Sequence, residues 1–147
     1  MYTNILVATD GSKLSGKAVK HAIELGQALK SRLTAFYASP DYPTPSYAEG
    51  VLLAPMRPKE YEALCKKEAD RILNPIRLTA EAAGVDFAVA HAIGRAPWEA
   101  ILTAAKKNKC DAIVMASHGR RGVSALLLGS ETQKVLTHSK LPVLVVR

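Results

Sequence analysis

The chain has 147 residues, of which 48% are hydrophobic and 22% charged, with a net charge of +7. This composition suits one globular domain, residues 1–147, and contains no apolar run near the ~20 residues a membrane-spanning helix needs. The basic residues are scattered among acids with no aromatic interleaving, so the charge reads as a solvated surface and not as a nucleic-acid face. Two cysteines, Cys65 and Cys110, form no close pair and no metal-ligand spacing. Met1-Tyr2-Thr3-Asn4 lacks the basic and apolar regions of a secretory signal, which makes the cytoplasm the expected location.

Asn4 to Thr9 is a continuous apolar run and reads as a strand buried on both faces, as in a parallel sheet. Asp10-Gly11-Ser12 follows as a turn, and Ser12 or Ser15 can cap the helix after it. Leu14, Ala18, Ala22, Leu25 and Leu29 recur at spacings of three and four, predicting an amphipathic helix that ends near Lys30. Leu33 to Ala38 is a second strand. The stretch from Ser39 to about Pro58 carries Pro40, Pro43, Pro45, Pro55 and Pro58 and is read as a long loop without regular structure, a lid or a contact surface.

Lys59 to Ala83 has helical periodicity, with Pro75 expected to kink or split it and Gly84 to end it. Phe87 to His91 is a third strand. Gly94-Arg95-Ala96-Pro97 is a turn, and Pro97 suits the first turn of a helix whose apolar face is Trp98, Ile101, Leu102 and Ala105. Ala112 to Ala116 is a fourth strand, followed by a loop from Ser117 to Gly122. A short helix from about Glu131 to Ser139 comes next, with Ser130 as its N-cap and Val135 and Leu136 turned inward. Leu141 to Val146 is a fifth strand. Regular alternation of strands and helices implies a five-stranded parallel sheet with helices on both faces and right-handed crossovers.

Ligands of such sheets bind beyond the carboxyl ends of the strands, where the strand order reverses. The residues expected there are Thr9 to Ser12, Ala38, and Ala116 to Gly119. Asp10 can accept hydrogen bonds from ribose hydroxyls, and a glycine loop leading to a helix start at Gly129-Ser130 can hold phosphates. Arg120 and Arg121 add positive charge. Each element also has a plainer reading: Asp10-Gly11 as a simple turn, Gly129-Ser130 as a helix entry, the arginines and His118 as solvated side chains. His21, His91 and His138 show no ligand spacing, and both the Walker A and the G-x-G-x-x-G motifs are absent.

Taken together, Ile5 to Ser12, Ile113 to Arg120, Leu128-Gly129-Ser130 and Pro142 to Val146 resemble the universal stress protein family over almost the whole chain. Its nucleotide-binding members carry G-x2-G-x9-G-[ST]. Here Gly119 is followed by nine residues and then Gly129-Ser130, while the first glycine is replaced by Ala116. The resemblance implies a Rossmann-like fold of the adenine nucleotide alpha hydrolase type that binds ATP or AMP, with Mg²⁺ bridging the phosphates. Asp10 would hold the ribose, and Ala8, Thr9, Ala38 and Met115 would line the adenine. Ala116, His118, Gly119, Arg120, Gly129, Ser130, Glu131 and Thr132 would surround ribose and phosphates. It also implies a homodimer paired through Val143 to Val146, and a stress-response role exercised through conformational change or partner contact. The alternatives are a nucleotide-free dimeric interaction protein and a slow ATPase, although no base that could orient an attacking water is evident.

Overall fold

A computed structural model describes residues 1–48, 50–53, 56–120 and 128–147. The expected loop residues Arg121 and Gly122 therefore lie outside the described residues. The main sheet comprises β1 (Asn4–Ala8), β2 (Arg32–Ser39), β5 (Phe87–Ile93), β6 (Ala112–Ala116) and β7 (Val143–Val146). It is entirely parallel, in the order β5-β2-β1-β6-β7. Four helices cover it: α1 (Lys13–Leu29), α2 (Pro58–Ala82), α3 (Pro97–Lys107) and α4 (Ser130–His138).

Strand periodicity sorts the core into two layers. Ile5 and Val7 of β1, Leu33 and Ala35 of β2 and Val114 of β6 pack against Ala18, Ala22, Ile72 and Leu73 of α1 and α2. Leu6, Phe36, Ile113 and Met115 point the other way, onto Ile101, Ala105 and Val135 of α3 and α4. Both sides of β1 and β6 are thus sealed, which is why those segments read as continuous apolar runs. Asp111, just before β6, ties the layers' lower rim: Oδ2 accepts from Thr3 N and Thr3 Oγ1, both at 2.7 Å, and Oδ1 from Asn4 N at 3.2 Å.

Four expectations need correction. The proline-rich stretch after β2 is not devoid of regular structure: β3 (Ser46–Ala48) and β4 (Val51–Leu53) pair antiparallel as a separate two-stranded sheet. Pro43 and Pro45 precede these strands without interrupting their ladder, and Gly50 supplies a positive φ of 79° at the turn. Ser130 is the first residue of α4, not its cap. The carbonyl that takes the first helical bond, from Gln133 N at 2.9 Å, belongs to Gly129. Leu136 is exposed, and only Val135 and Thr132 of α4 are buried. Pro75 does not split α2, which runs on as one helix of 25 residues. Gly84 follows its end with φ 71°, as a left-handed terminator should.

Candidate functional site

The strand order reverses between β1 and β6: β1 leads to β2 on one side, while β6 lies on its other side and leads to β7. In sheets of this kind the loops after two such strands diverge, so the expected ligand position is the crevice between the starts of the loops after β1 and β6. Asp10 stands in the first loop. Its Oδ1 accepts from Ser12 N at 3.0 Å, the Asx-turn that an Asp-Gly-Ser tripeptide favours. Its Oδ2 accepts from Arg120 N at 2.7 Å, in the second loop. One carboxylate therefore joins residues 110 apart in the chain. Burial opposes ionisation of Asp10, but the hydrogen bonds from Ser12 and Arg120 outweigh it and hold the carboxyl below its ordinary range.

Gly119 lies against this carboxylate so closely that a Cβ there would be 2.6 Å from Oδ2. Gly129 is constrained less tightly: an added Cβ would lie 3.1 Å from the Cα of His118. Its N–H donates to the Ser117 carbonyl at 2.7 Å, so the start of α4 is drawn onto the end of β6. Close approach favours glycine at both positions, to the Asp10 carboxylate at Gly119 and to the His118 backbone at Gly129. Because Gly129 has no side chain to cap α4, the first-turn N–H groups of that helix have no side-chain partner at the cap.

Ala8, Ala38 and Met115 lie near the carboxyl ends of β1, β2 and β6 on the α3/α4 face. Thr9, by contrast, turns its hydroxyl to Ser15 Oγ at 3.0 Å, under α1. Ala116 ends β6, and its carbonyl accepts from the buried Thr132 hydroxyl at 3.0 Å. His118 is half-buried, with Nδ1 3.2 Å from Ser117 Oγ. Glu131 Oε2 accepts from Trp98 N at 2.9 Å and so caps the start of α3. Thr132 and Glu131 thus hold the frame of the crevice with their side chains. Ser117, within the expected stretch Ala116 to Gly119, is buried and its N–H donates to the Val146 carbonyl. One residue that builds the site escapes the sequence reading: Glu68 on α2, approached by the Arg120 guanidinium at 3.9 Å, carries no local motif. Among the described residues, no three His, Cys, Asp or Glu side chains are grouped to hold a metal, and no helix is long and apolar enough to cross a membrane.

An open parallel sheet with a carboxylate and a glycine loop meeting at its switch point defines a Rossmann-like α/β domain. The model of the universal stress protein family matches residues 1–147, and the chain belongs to that family. It is 33% identical over 149 residues to the universal stress protein YxiE of Bacillus subtilis, covering both chains in full. Its fold is similar to that of universal stress protein UspA from Lactobacillus plantarum, with a TM-score of 0.78, 26% identity, and 99% and 98% of the two chains covered. A universal stress protein solved in complex with cAMP is also similar, at TM-score 0.68 and 26% identity over 99% of this chain and 97% of that one.

Proposed function

We propose that this chain binds an adenine nucleotide, ATP or AMP, in the crevice between β1 and β6, and acts in the stress response by conformational change or partner contact. The observation that carries the reading is the meeting of three elements at one point: the Asp10 carboxylate, the backbone of Gly119, and the side-chain-free start of α4 at Gly129. A carboxylate accepts ribose hydroxyls, and a bare helix start attracts phosphate through its N–H groups and dipole. Ala8, Ala38 and Met115 supply an apolar wall for the base, with Thr9 contributing backbone. Ala116, His118, Gly119 and Ser130 border ribose and phosphates. Ala116 retains the N–H that a glycine would offer and adds one methyl, so binding is weaker than with glycine there. Glu131 and Thr132 act as frame residues. The described residues form no cage for Mg²⁺, so any such ion is held chiefly by the phosphates. The cAMP complex of the relative supports the choice of an adenine ligand.

Calorimetric titration of nucleotide-free protein with ATP and AMP, with and without Mg²⁺, tests this directly. Binding of about micromolar strength is expected, lost in Asp10→Ala and in Gly129→Val, where the added side chain meets the His118 backbone. Absence of binding in the unchanged, folded chain rejects the proposal.

A further inference from the structure

The carboxylate assigned to the ribose is already engaged. Asp10 Oδ1 holds Ser12 N, Oδ2 holds Arg120 N at 2.7 Å, and Gly119 covers Oδ2 at a distance that leaves no space even for a methyl group. Arg120 is also held at its other end. Its guanidinium passes over the bare backbone of Gly11, where an added Cβ would lie 3.0 Å from Nη2. It stops 3.9 Å from Glu68 Oε1 on α2. Arg71 grips the same carboxylate in a two-pronged bridge, Nε to Oε2 at 2.8 Å and Nη2 to Oε1 at 2.7 Å. The Arg120 side chain thus runs toward α2, over the α1/α2 layer, whereas α4 belongs to the opposite layer.

We propose that this arrangement is a latch in which the Arg120 N–H and a ribose hydroxyl compete for Asp10 Oδ2, with the Arg120 side chain tethering the latch to α2. Arg120 is then a positioning residue that acts through the loop backbone, not a phosphate ligand. The inference rests on the nucleotide reading above. It carries an unusual sign: removing a cation beside an anion site strengthens anion binding, because the tether that holds the loop on Asp10 is gone while every donor and acceptor facing the nucleotide remains.

The test titrates AMP into the unchanged chain, Arg120→Ala, Arg120→Lys and Glu68→Gln. A half-exposed ion pair of this length contributes little, so the expected gain is about two- to fivefold in affinity for Arg120→Ala and Glu68→Gln. Arg120→Lys, which keeps a cation, returns toward the original affinity. In parallel, hydrogen exchange by NMR is expected to find the Arg120 amide protected in the free chain and exposed at saturating AMP. Unchanged or weakened AMP binding in Arg120→Ala overturns the latch, as does protection that survives AMP. If none of the four chains binds AMP, the nucleotide reading fails and the competition with it. Binding by all four at equal strength overturns the latch alone.

Discussion

At the residue scale, the chemistry of the site converges on one carboxylate. The folded pKa of Asp10 lies below its unfolded value: burial opposes the charge, but the Ser12 side chain and the backbone N–H groups of Ser12 and Arg120 stabilise the charged form and prevail. Its contribution to stability is complete above the ordinary carboxylate range, near pH ~3.9, and is lost as pH falls through the lower folded value. Asp10→Asn is therefore expected to flatten the acid limb of a stability profile recorded by urea denaturation between about pH 2 and 6. Asp111 acts with the same sign: burial opposes its charge, but the bonds from Thr3 and Asn4 prevail. Gly11 offers a second test. Its φ of 77° strains any L side chain, and Arg120 and Ile72 leave a Cβ no relaxed position. Gly11→Ala is expected to cost about 1–2 kcal/mol, read from the same denaturation curves.

At the element scale, α2 carries a proline in its interior. Pro75 is exposed and removes one backbone donor, while its carbonyl accepts from Thr79 Oγ1 at 2.9 Å. Pro75→Ala restores a helical hydrogen bond and is expected to stabilise the chain by about 2 kcal/mol, seen as a raised urea midpoint. The opposite extreme is Ile113 in the middle of β6, which is fully buried. Ile113→Ala is expected to lose about 2–5 kcal/mol in the same measurement.

These elements were unevenly legible in the sequence. β1 and β6 stood out because burial on both faces leaves an unbroken apolar run. The carboxylate, the glycine loop and the start of α4 were readable because turn and helix-start chemistry is local. Proline density over the whole stretch hides the hairpin β3–β4, whose strands occupy its proline-free centre. Ser130 was misassigned as the cap because serine is a favoured cap, whereas close packing on His118 requires glycine at the position before it. The roles of Glu68 and Glu131 depend on side chains meeting across 52 and 33 residues, and no periodicity reports such encounters.

At the scale of the whole molecule, the two sheet edges differ. On the α3 side, Ala90 and Ala92 of β5 together with α3 border an open groove of about 560 Å³. β7 is short and apolar, with Leu144 48% exposed. Unpaired apolar edges are readily extended by a second strand, so we expect β7 to pair with β7 of a second copy. Leu144→Asp is expected to shift the chain from dimer to monomer in sedimentation equilibrium while leaving its far-ultraviolet circular dichroism intact. A chain that already sediments as a monomer without substitution excludes this pairing.

The central place of β1 has a consequence for how the protein is made. It leaves the ribosome before every other strand of its sheet, yet one of its two neighbours, β6, follows only after β2 and β5, and the Thr3–Asp111 clasp joins residues 108 apart. At ordinary rates of translation, roughly 4–15 s separate the emergence of β2 from that of β6. Throughout that interval the β6-facing edge of β1 is an open strand of Ile5, Leu6 and Val7. The nascent chain therefore passes through a stage in which a fully buried core strand is half-paired. That interval, rather than the finished fold, is when this apolar edge is open to aggregation.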